Sequence, residues 1–255
     1  MKSREKELKA FNRLLDIMDD LREKCPWDKK QTLESLRHLT IEEVYELSDA
    51  IIDSDLQEVK NELGDIMLHL VFYAKIGSEK KAFDITEVLN GICEKLIYRH
   101  PHIYGDVTVA NEEEVKKNWE KLKLKEGNNK KSVLAGVPKS LPSMIKALRI
   151  QEKVKGVGFD FENKEQVWNK VQEELSEFEE AKAFENQELE LGDVLFSMIN
   201  YARFLGINPE MALERTNKKF IMRFQKMEKL IKNQKQSIEN LSIQELDNYW
   251  EQVKE

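Results

Sequence analysis

The chain has 255 residues, of which 35% are charged, with a formal net charge of -7 and two cysteines. Its length suits two domains of ordinary size, and its acidic balance argues against a protein that binds duplex nucleic acid through a basic surface. The isolated Cys25 and Cys93 exclude a disulfide scaffold and a zinc knuckle.

The sequence predicts neither a signal peptide nor a membrane span. The first residues lack an apolar core, and the longest apolar stretch, 66–74, is too short to cross a bilayer. Free cysteines are typical of a reducing compartment. We therefore expect a soluble protein that has no membrane partner and is cytoplasmic.

Apolar residues recur at helical spacing almost throughout, and no sustained alternation indicates a sheet. Each half is predicted to contain four main helices and a short final one. The first helix ends before a turn, at 25–28 in one half and at 158–160 in the other. The second carries Glu-Glu-x-x-Glu. Thr40 and Glu43 match a capping box at its start, although the helix could begin nearer Thr32.

The third predicted helix carries Glu-Leu-Gly-Asp and continues into an apolar run, 66–72 in the first half and 194–199 in the second. Because these runs are apolar on nearly every face, we expect the helix at the centre of a bundle or of an oligomer interface. The fourth helix carries a Lys-x-x-x-Arg pair, and the short last helix carries Trp-Glu-x-x-Lys.

A break in helical pattern separates the two halves. Residues 125–143 contain Gly and Pro at positions that cannot continue a helix. The predicted fold is therefore all-α, with two tandem four-helix-type bundle domains that arise from an internal repeat. Their predicted bounds are 1–127 and 144–255, joined by a linker at 128–143.

The two halves carry the same polar residues in the same order, which indicates two copies of a site as well as of a fold. The first copy has Glu42, Glu43, Glu46, Glu62, Asp65, Lys95, Arg99, Trp119 and Lys123. The second copy has Glu173, Glu174, Glu177, Glu190, Asp193, Lys219, Arg223, Trp250 and Lys254.

Carboxylates three residues apart share a helix face, so Glu43 and Glu46 project together, as do Glu62 and Asp65 from the next helix. Facing each other, they form a self-repelling box that one or two hard divalent cations would relieve. Glu174, Glu177, Glu190 and Asp193 repeat this pattern. Mg²⁺ suits an oxygen-only site, and Mn²⁺ could substitute for it.

Either acidic motif alone would be read as a solvated helix face, but its recurrence favours a metal site. Gly64 and Gly192 lie inside helices, where glycine is unfavourable by about 1 kcal/mol relative to alanine. Their position between the acids suggests a close helix approach or room for a ligand.

The basic pairs Lys95/Arg99 and Lys219/Arg223 could face a phosphate chain, or could form an exposed basic helix face. Trp119 and Trp250 could stack on a base or anchor the last helix. His69 is predicted to be a hydrogen-bonded core histidine. The segment His100-Pro101-His102 is interpreted as a helix-ending turn, and a di-iron site is excluded because Glu-x-x-His motifs are missing.

Together, the repeated acidic motifs, the turn at 25–28, the Arg99-His100-Pro101-His102 segment, the turn at 157–160 and the ending at 250–254 resemble the MazG family across nearly the whole chain. The resemblance implies an all-α homodimer that uses Mg²⁺ to hydrolyse nucleoside triphosphates to monophosphate and pyrophosphate, with broad base tolerance, in a housecleaning role. It also implies that the C-terminal copy carries the activity.

In the predicted mechanism, the acids hold the triphosphate through Mg²⁺, and water attacks the α-phosphorus. Glu173 or Glu42 would orient this water as general base, while Lys219 and Arg223 would neutralise the leaving pyrophosphate. One alternative is a non-catalytic regulatory module that binds nucleotides or alarmones. Another is a helical scaffold whose acids are only surface residues.

Overall fold

A computed structural model describes residues 4–112, 114–115, 118–119, 122 and 132–254. The described residues form α-helices and short 3₁₀ turns without any strand, which confirms the all-α prediction. The chain divides into two compact units, Met1–Trp119 and Glu120–Glu255. Residues 128–131 of the predicted linker lie outside the described residues, as does Lys123, whereas residues 132–143 are described and include a 3₁₀ turn at Val133–Gly136.

The first unit contains two long paired helices, preceded by one helix and followed by a shorter pair. These helices are α1 (Glu5–Lys24), α2 (Leu33–Asp53), α3 (Leu56–Glu79), α4 (Ile85–Arg99) and α5 (Pro101–Tyr104).

The start of α2 differs from the capping box predicted at Thr40. Thr32 is the N-cap: its side chain accepts from the Ser35 amide, and the Ser35 hydroxyl accepts from the Thr32 amide. The Thr40 hydroxyl instead contacts the Leu36 carbonyl and lies 2.6 Å from the Tyr73 hydroxyl. The predicted Thr40–Glu43 box is wrong, and the alternative start nearer Thr32 is confirmed, because Ser35 completes a capping box with Thr32.

A tight connection joins α2 to α3. Ser54 adopts a left-handed conformation with φ of 58° and ends α2, and the Asp55 carboxylate then caps the first turn of α3 by accepting from the Gln57 and Glu58 amides. This N-cap satisfies amides that have no partner inside the helix. The short turn brings α2 and α3 side by side along their length.

The core of the first unit lies between α1, α2 and α3. Its fully buried side chains are Met18, Leu36, Val71, Phe72 and Ile76. Arg22 fastens the rim of this core: its guanidinium binds the Glu79 carboxylate with two nitrogens and also donates to the main-chain oxygens of Asp28 and Gln31.

The second unit also contains two long paired helices, which are preceded by one helix and followed by a helical hairpin. Its helices are α6 (Ser143–Lys155), α7 (Lys164–Glu180), α8 (Phe184–Phe204), α9 (Pro209–Asn233) and α10 (Ile243–Gln252). Asn163 caps α7, and Asn208 caps α9. Met227, Ile231, Tyr249 and Val253 form a buried cluster between α9 and α10.

The third helix of each half is less buried than its composition predicts. One face of α3 is buried, but Leu63, Met67 and Leu70 form an exposed row at helical spacing. The corresponding residues of α8, Leu191, Leu195 and Met198, are exposed as well. The expected burial of nearly every face is therefore wrong within the chain, and an oligomer interface stays a prediction for these rows. No helix among the described residues is long and apolar enough to span a membrane.

Candidate metal and nucleotide site

The α2–α3 and α7–α8 hairpins each bring three carboxylates together. In the first unit, Glu43, Glu62 and Asp65 offer oxygens that lie within 4.8 Å of one another, and we call this set the first cluster. In the second unit, a set with the same spread of ligand atoms forms the second cluster. It consists of Glu174, Glu177 and Glu190.

The fourth acid of each predicted box stands outside these close sets. Glu46 is exposed on α2, but its charge still raises the pKa of Glu62. Asp193 is exposed on α8, one turn after Glu190. The two hairpins thus assemble different members of the repeated motif.

The first cluster contains a carboxylate that is costly to charge in the absence of a cation. Glu62 is only 6% exposed, and its Oε2 atom has no hydrogen-bond partner. Burial, followed by the charge of Glu46, raises the pKa of Glu62 to about 7. Burial also raises the pKa of Glu43, with a further contribution from Asp65.

The second cluster contains a lysine that sequence reasoning missed. The Lys170 ammonium lies 2.7 Å from a carboxylate oxygen of Glu174 and 2.7 Å from one of Glu173. Its hydrogen bonds to Glu173 and then to Glu174 raise the pKa of Lys170. The signal was available, because Lys170 stands three and four residues before these acids on one helix.

Glu177 of the second cluster has a raised pKa. Although the residue is exposed, partial desolvation of its carboxylate within the cluster is the main cause, and the charges of Glu174 and Glu190 raise the pKa further. Since Lys170 already neutralises part of the charge on Glu174, the second cluster has a partial counter-ion within the protein.

The two helical glycines leave open space. A methyl group added at Gly64 or at Gly192 would meet no atom within 4 Å beyond the local helix. The predicted close helix approach is therefore wrong at both positions. The other interpretation, room beside the acids for a ligand, agrees with this space.

The donors of both clusters fit a hard divalent cation. Every member offers a carboxylate oxygen as ligand. The buried Oε2 atom of Glu62 has no hydrogen-bond partner, and a bound cation would supply the partner that a buried charged group needs. Mg²⁺ and Mn²⁺ both accept such oxygen ligands.

The predicted cations and aromatic residue of the second copy meet at the α9–α10 hairpin. Arg223 donates to the main-chain oxygen of Lys254 at 2.7 Å, and Lys219 is exposed one turn earlier on α9. The Trp250 ring lies 5.0 Å from the Phe220 ring and packs against the buried cluster of this hairpin. Of the two roles considered for Trp250, these contacts favour anchoring the last helix.

In the first copy, Arg99 lies over the Trp119 ring, with its guanidinium carbon 5.4 Å from the ring centre. His100 meets the same ring edge-on at 4.8 Å. Lys95 is exposed one turn before Arg99. The two copies therefore surround equivalent tryptophans with different neighbours.

Of the two histidine predictions, the one for His69 is wrong in part and the one for the turn at His100 is confirmed. His69 is buried, but its Nδ1 atom has no hydrogen-bond partner, so the expectation of a hydrogen-bonded core residue is wrong for that atom. Its equivalent, Ser197, donates to the Val194 carbonyl of its own helix. The turn at His100 is confirmed, because α4 ends at Arg99 and Pro101 starts the single turn of α5.

The two predicted general bases are exposed at the edges of the clusters. Glu42 lies on the surface of α2, whereas Glu173 is held by Lys170. A base in the second copy would therefore have to exchange its lysine partner for water.

Comparison with known proteins identifies the family. The MazG nucleotide pyrophosphohydrolase domain matches residues 31–104. The nucleoside triphosphate pyrophosphohydrolase/pyrophosphatase MazG of Thermotoga maritima is 45% identical over 247 residues, which cover 96% of this chain and 95% of that protein. The nucleoside triphosphate pyrophosphohydrolase of Escherichia coli is 37% identical, over 97% of this chain and 98% of that protein. The chain therefore belongs to the MazG family of nucleoside triphosphate pyrophosphohydrolases.

Proposed function

We propose that this protein is a Mg²⁺-dependent nucleoside triphosphate pyrophosphohydrolase that converts ribo- and deoxyribonucleoside triphosphates to monophosphate and pyrophosphate. The observation that carries the proposal is the pair of carboxylate clusters, in a chain that aligns over its length with pyrophosphohydrolases. Removal of non-standard or excess nucleotides in the cytoplasm is the role that fits such an activity.

The second unit is proposed to carry most of the turnover. Glu174, Glu177, Glu190 and Asp193 would hold Mg²⁺, which supplies Lewis-acid neutralisation of the triphosphate charge when bound. The first cluster, with Glu46, would hold Mg²⁺ in the same way. Both assignments rest on the three carboxylates that each hairpin brings together, and Asp193 and Glu46 are added from the repeated sequence motif.

The remaining residues of the second copy would act on the water and on the leaving group. Glu173 would accept the proton of a water that attacks the α-phosphorus, after its carboxylate leaves Lys170. Lys219 and Arg223 would neutralise the charge that develops on pyrophosphate as the α–β bond breaks. Their placement on one face of α9, one turn apart, suits a phosphate chain.

We further propose that the protein is a homodimer. The exposed rows on α3 and α8 are apolar and occupy equivalent places in the two units. Large apolar rows of this kind are typical of surfaces that become buried on association. A second copy of the chain would cover them by the usual two-fold arrangement.

Product analysis tests the proposed reaction. Purified protein is incubated with Mg²⁺ and a panel of triphosphates, and the products are separated by ion-exchange chromatography. We expect monophosphate and pyrophosphate in equal amounts, with loss of turnover in Glu174→Gln and retention in the exposed-residue control Glu188→Gln. Orthophosphate and diphosphate would contradict attack at the α-phosphorus. Nucleotide binding without pyrophosphate would favour a regulatory module.

A further inference from the structure

The two acidic clusters differ in the cation that the protein itself provides. In the second cluster, the Lys170 ammonium contacts the carboxylates of Glu173 and Glu174. Glu174 is buried, with 7% of its surface exposed. The residue at the matching place in the first copy, three before Glu42, is Leu39, whose side chain packs against the core of the first unit. The repeat thus preserves the acids but not their neighbour.

Among the described residues, no lysine or arginine forms an ion pair with a member of the first cluster. Glu62 keeps a buried Oε2 atom without a hydrogen-bond partner, and nearby on the same helix the buried His69 has a partnerless Nδ1. Within the described part of the chain, the first cluster therefore lacks an ammonium or guanidinium counter-ion such as the second cluster has, and the cationic group that acts on it is His69, whose charge lowers the pKa of Glu43 against the larger effects of burial and of Asp65.

We propose that Lys170 is a tethered counter-ion that competes with the divalent cation for Glu174, so that the first cluster takes up Mg²⁺ at lower concentration than the second. This inference rests on the proposed function, because it takes both clusters to be cation sites. A dication that enters the second cluster must displace the ammonium or bind beside it against repulsion, whereas no lysine or arginine ion pair among the described residues has to be broken at the first cluster.

The same contact links cation entry to the proposed base. Lys170 holds Glu173 and Glu174 together, and a cation that takes Glu174 removes one of the two carboxylates that fix the ammonium in place. The ammonium of Lys170 is then held by one carboxylate instead of two, so it dissociates more readily from Glu173. The Glu173 carboxylate thereby becomes available to water. Lys170 would thereby set the Mg²⁺ concentration at which the second copy becomes competent.

Cation titration of the full chain tests this inference without relying on turnover. The probe is Mn²⁺, with free ion measured by electron paramagnetic resonance and Mg²⁺ used as competitor. We expect two classes of site in the unmodified protein, separated by roughly tenfold in Kd. Glu62→Gln should remove the tighter class, and Glu174→Gln should remove the weaker one.

The decisive variant is Lys170→Met. Its control is Lys164→Met, which removes an exposed lysine of the same helix. Lys170→Met should tighten the weaker class by roughly tenfold and leave the tighter class unchanged. Lys170→Gln, which keeps a polar side chain, should act in the same direction if Lys170→Met folds poorly.

Three results would overturn the inference: equal affinities in the unmodified protein, weaker binding in both Lys170 variants, or no Mn²⁺ binding. A purely structural lysine would give the second result, because its loss would loosen the cluster. A protein that shows both classes and the Lys170 effect but releases no pyrophosphate would refute the proposed reaction and leave this inference standing. Pyrophosphate release by a protein whose two cation sites have equal affinity would refute this inference and leave the proposed reaction standing.

Discussion

Arg203 and Asp160 form a two-pronged ion pair, in which the two terminal guanidinium nitrogens donate to the two carboxylate oxygens at 3.0 and 2.5 Å. The pair joins the loop between α6 and α7 to the last turn of α8. Arg203 also donates to the Asn200 side chain, so the guanidinium is held from two sides. This arrangement fixes the start of one site helix relative to the end of the other.

Asp160→Asn should lower the free energy of unfolding by about 2 kcal/mol, because it weakens hydrogen bonds to a charged group whose own side chain is only 9% exposed. Urea unfolding followed by circular dichroism measures the change. Asp247→Asn, on the exposed side of α10, serves as the matched control and should leave stability within about 0.5 kcal/mol. Equal effects of the two substitutions would show that the ion pair contributes little.

Stability in the absence of divalent cations should fall as pH rises from about 4.5 to about 7. The pKa of Glu62 is raised to about 7 in the folded protein, so the folded state binds more protons than the unfolded state across this window. Glu43 and Glu177, whose pKa values are also raised, act in the same direction. Urea midpoints measured in EDTA at several pH values report this trend.

Glu62→Gln is the matched variant for this pH dependence. This substitution should remove the part of the fall in stability with rising pH that Glu62 causes. It should also raise the free energy of unfolding at pH 8, because the glutamine cannot become charged. An identical profile in Glu62→Gln would show that Glu62 titrates near the ordinary carboxyl range.

Arg223→Ala should lower kcat/KM for a triphosphate by about 10²-fold or more, the usual effect of removing a charged group that stabilises the transition state. Because Arg223 also donates to the Lys254 carbonyl, a thermal melt must accompany the kinetics. Lys226→Ala, an exposed cation on the same helix, is the control. Unchanged kinetics in a folded Arg223→Ala protein would return the basic pair to an exposed helix face.

Leu195→Glu should dissociate the proposed dimer, because it places a charge in the middle of the exposed apolar row of α8. Sedimentation velocity compares its mass with that of the unmodified protein and of Glu188→Gln, an exposed substitution outside the row. A monomeric unmodified protein would contradict the proposal. A dimer that tolerates Leu195→Glu would move the interface elsewhere.

Helical periodicity and repeated polar motifs predicted the all-α fold and the hairpins that hold the acids. Both depend on local spacing along the chain, which a sequence displays directly. The capping box of α2 was assigned to Thr40, with a start nearer Thr32 as the alternative, because both threonines offer capping side chains and only the partner of each side chain distinguishes them.

The sequence predicted the candidate site less well where burial and free space depend on residues that are distant in the chain. Spacing placed the acids on facing helices, but it could not show that Glu62 is buried while Glu46 is exposed. It also offered no measure of free volume around Gly64 and Gly192. Lys170 has no counterpart in the first copy, where Leu39 stands at the matching position, so the repeat does not mark it.

The short turn at Ser54 and Asp55 has a kinetic consequence. Because α2 and α3 adjoin in the chain, every member of the first cluster comes from one continuous segment, and closing that segment requires little loop entropy. The site can therefore form early, before the α1 helix docks. Cations present during refolding should then speed the folding limb of a chevron plot, in addition to slowing unfolding, since the hairpin would already bind them in the transition state.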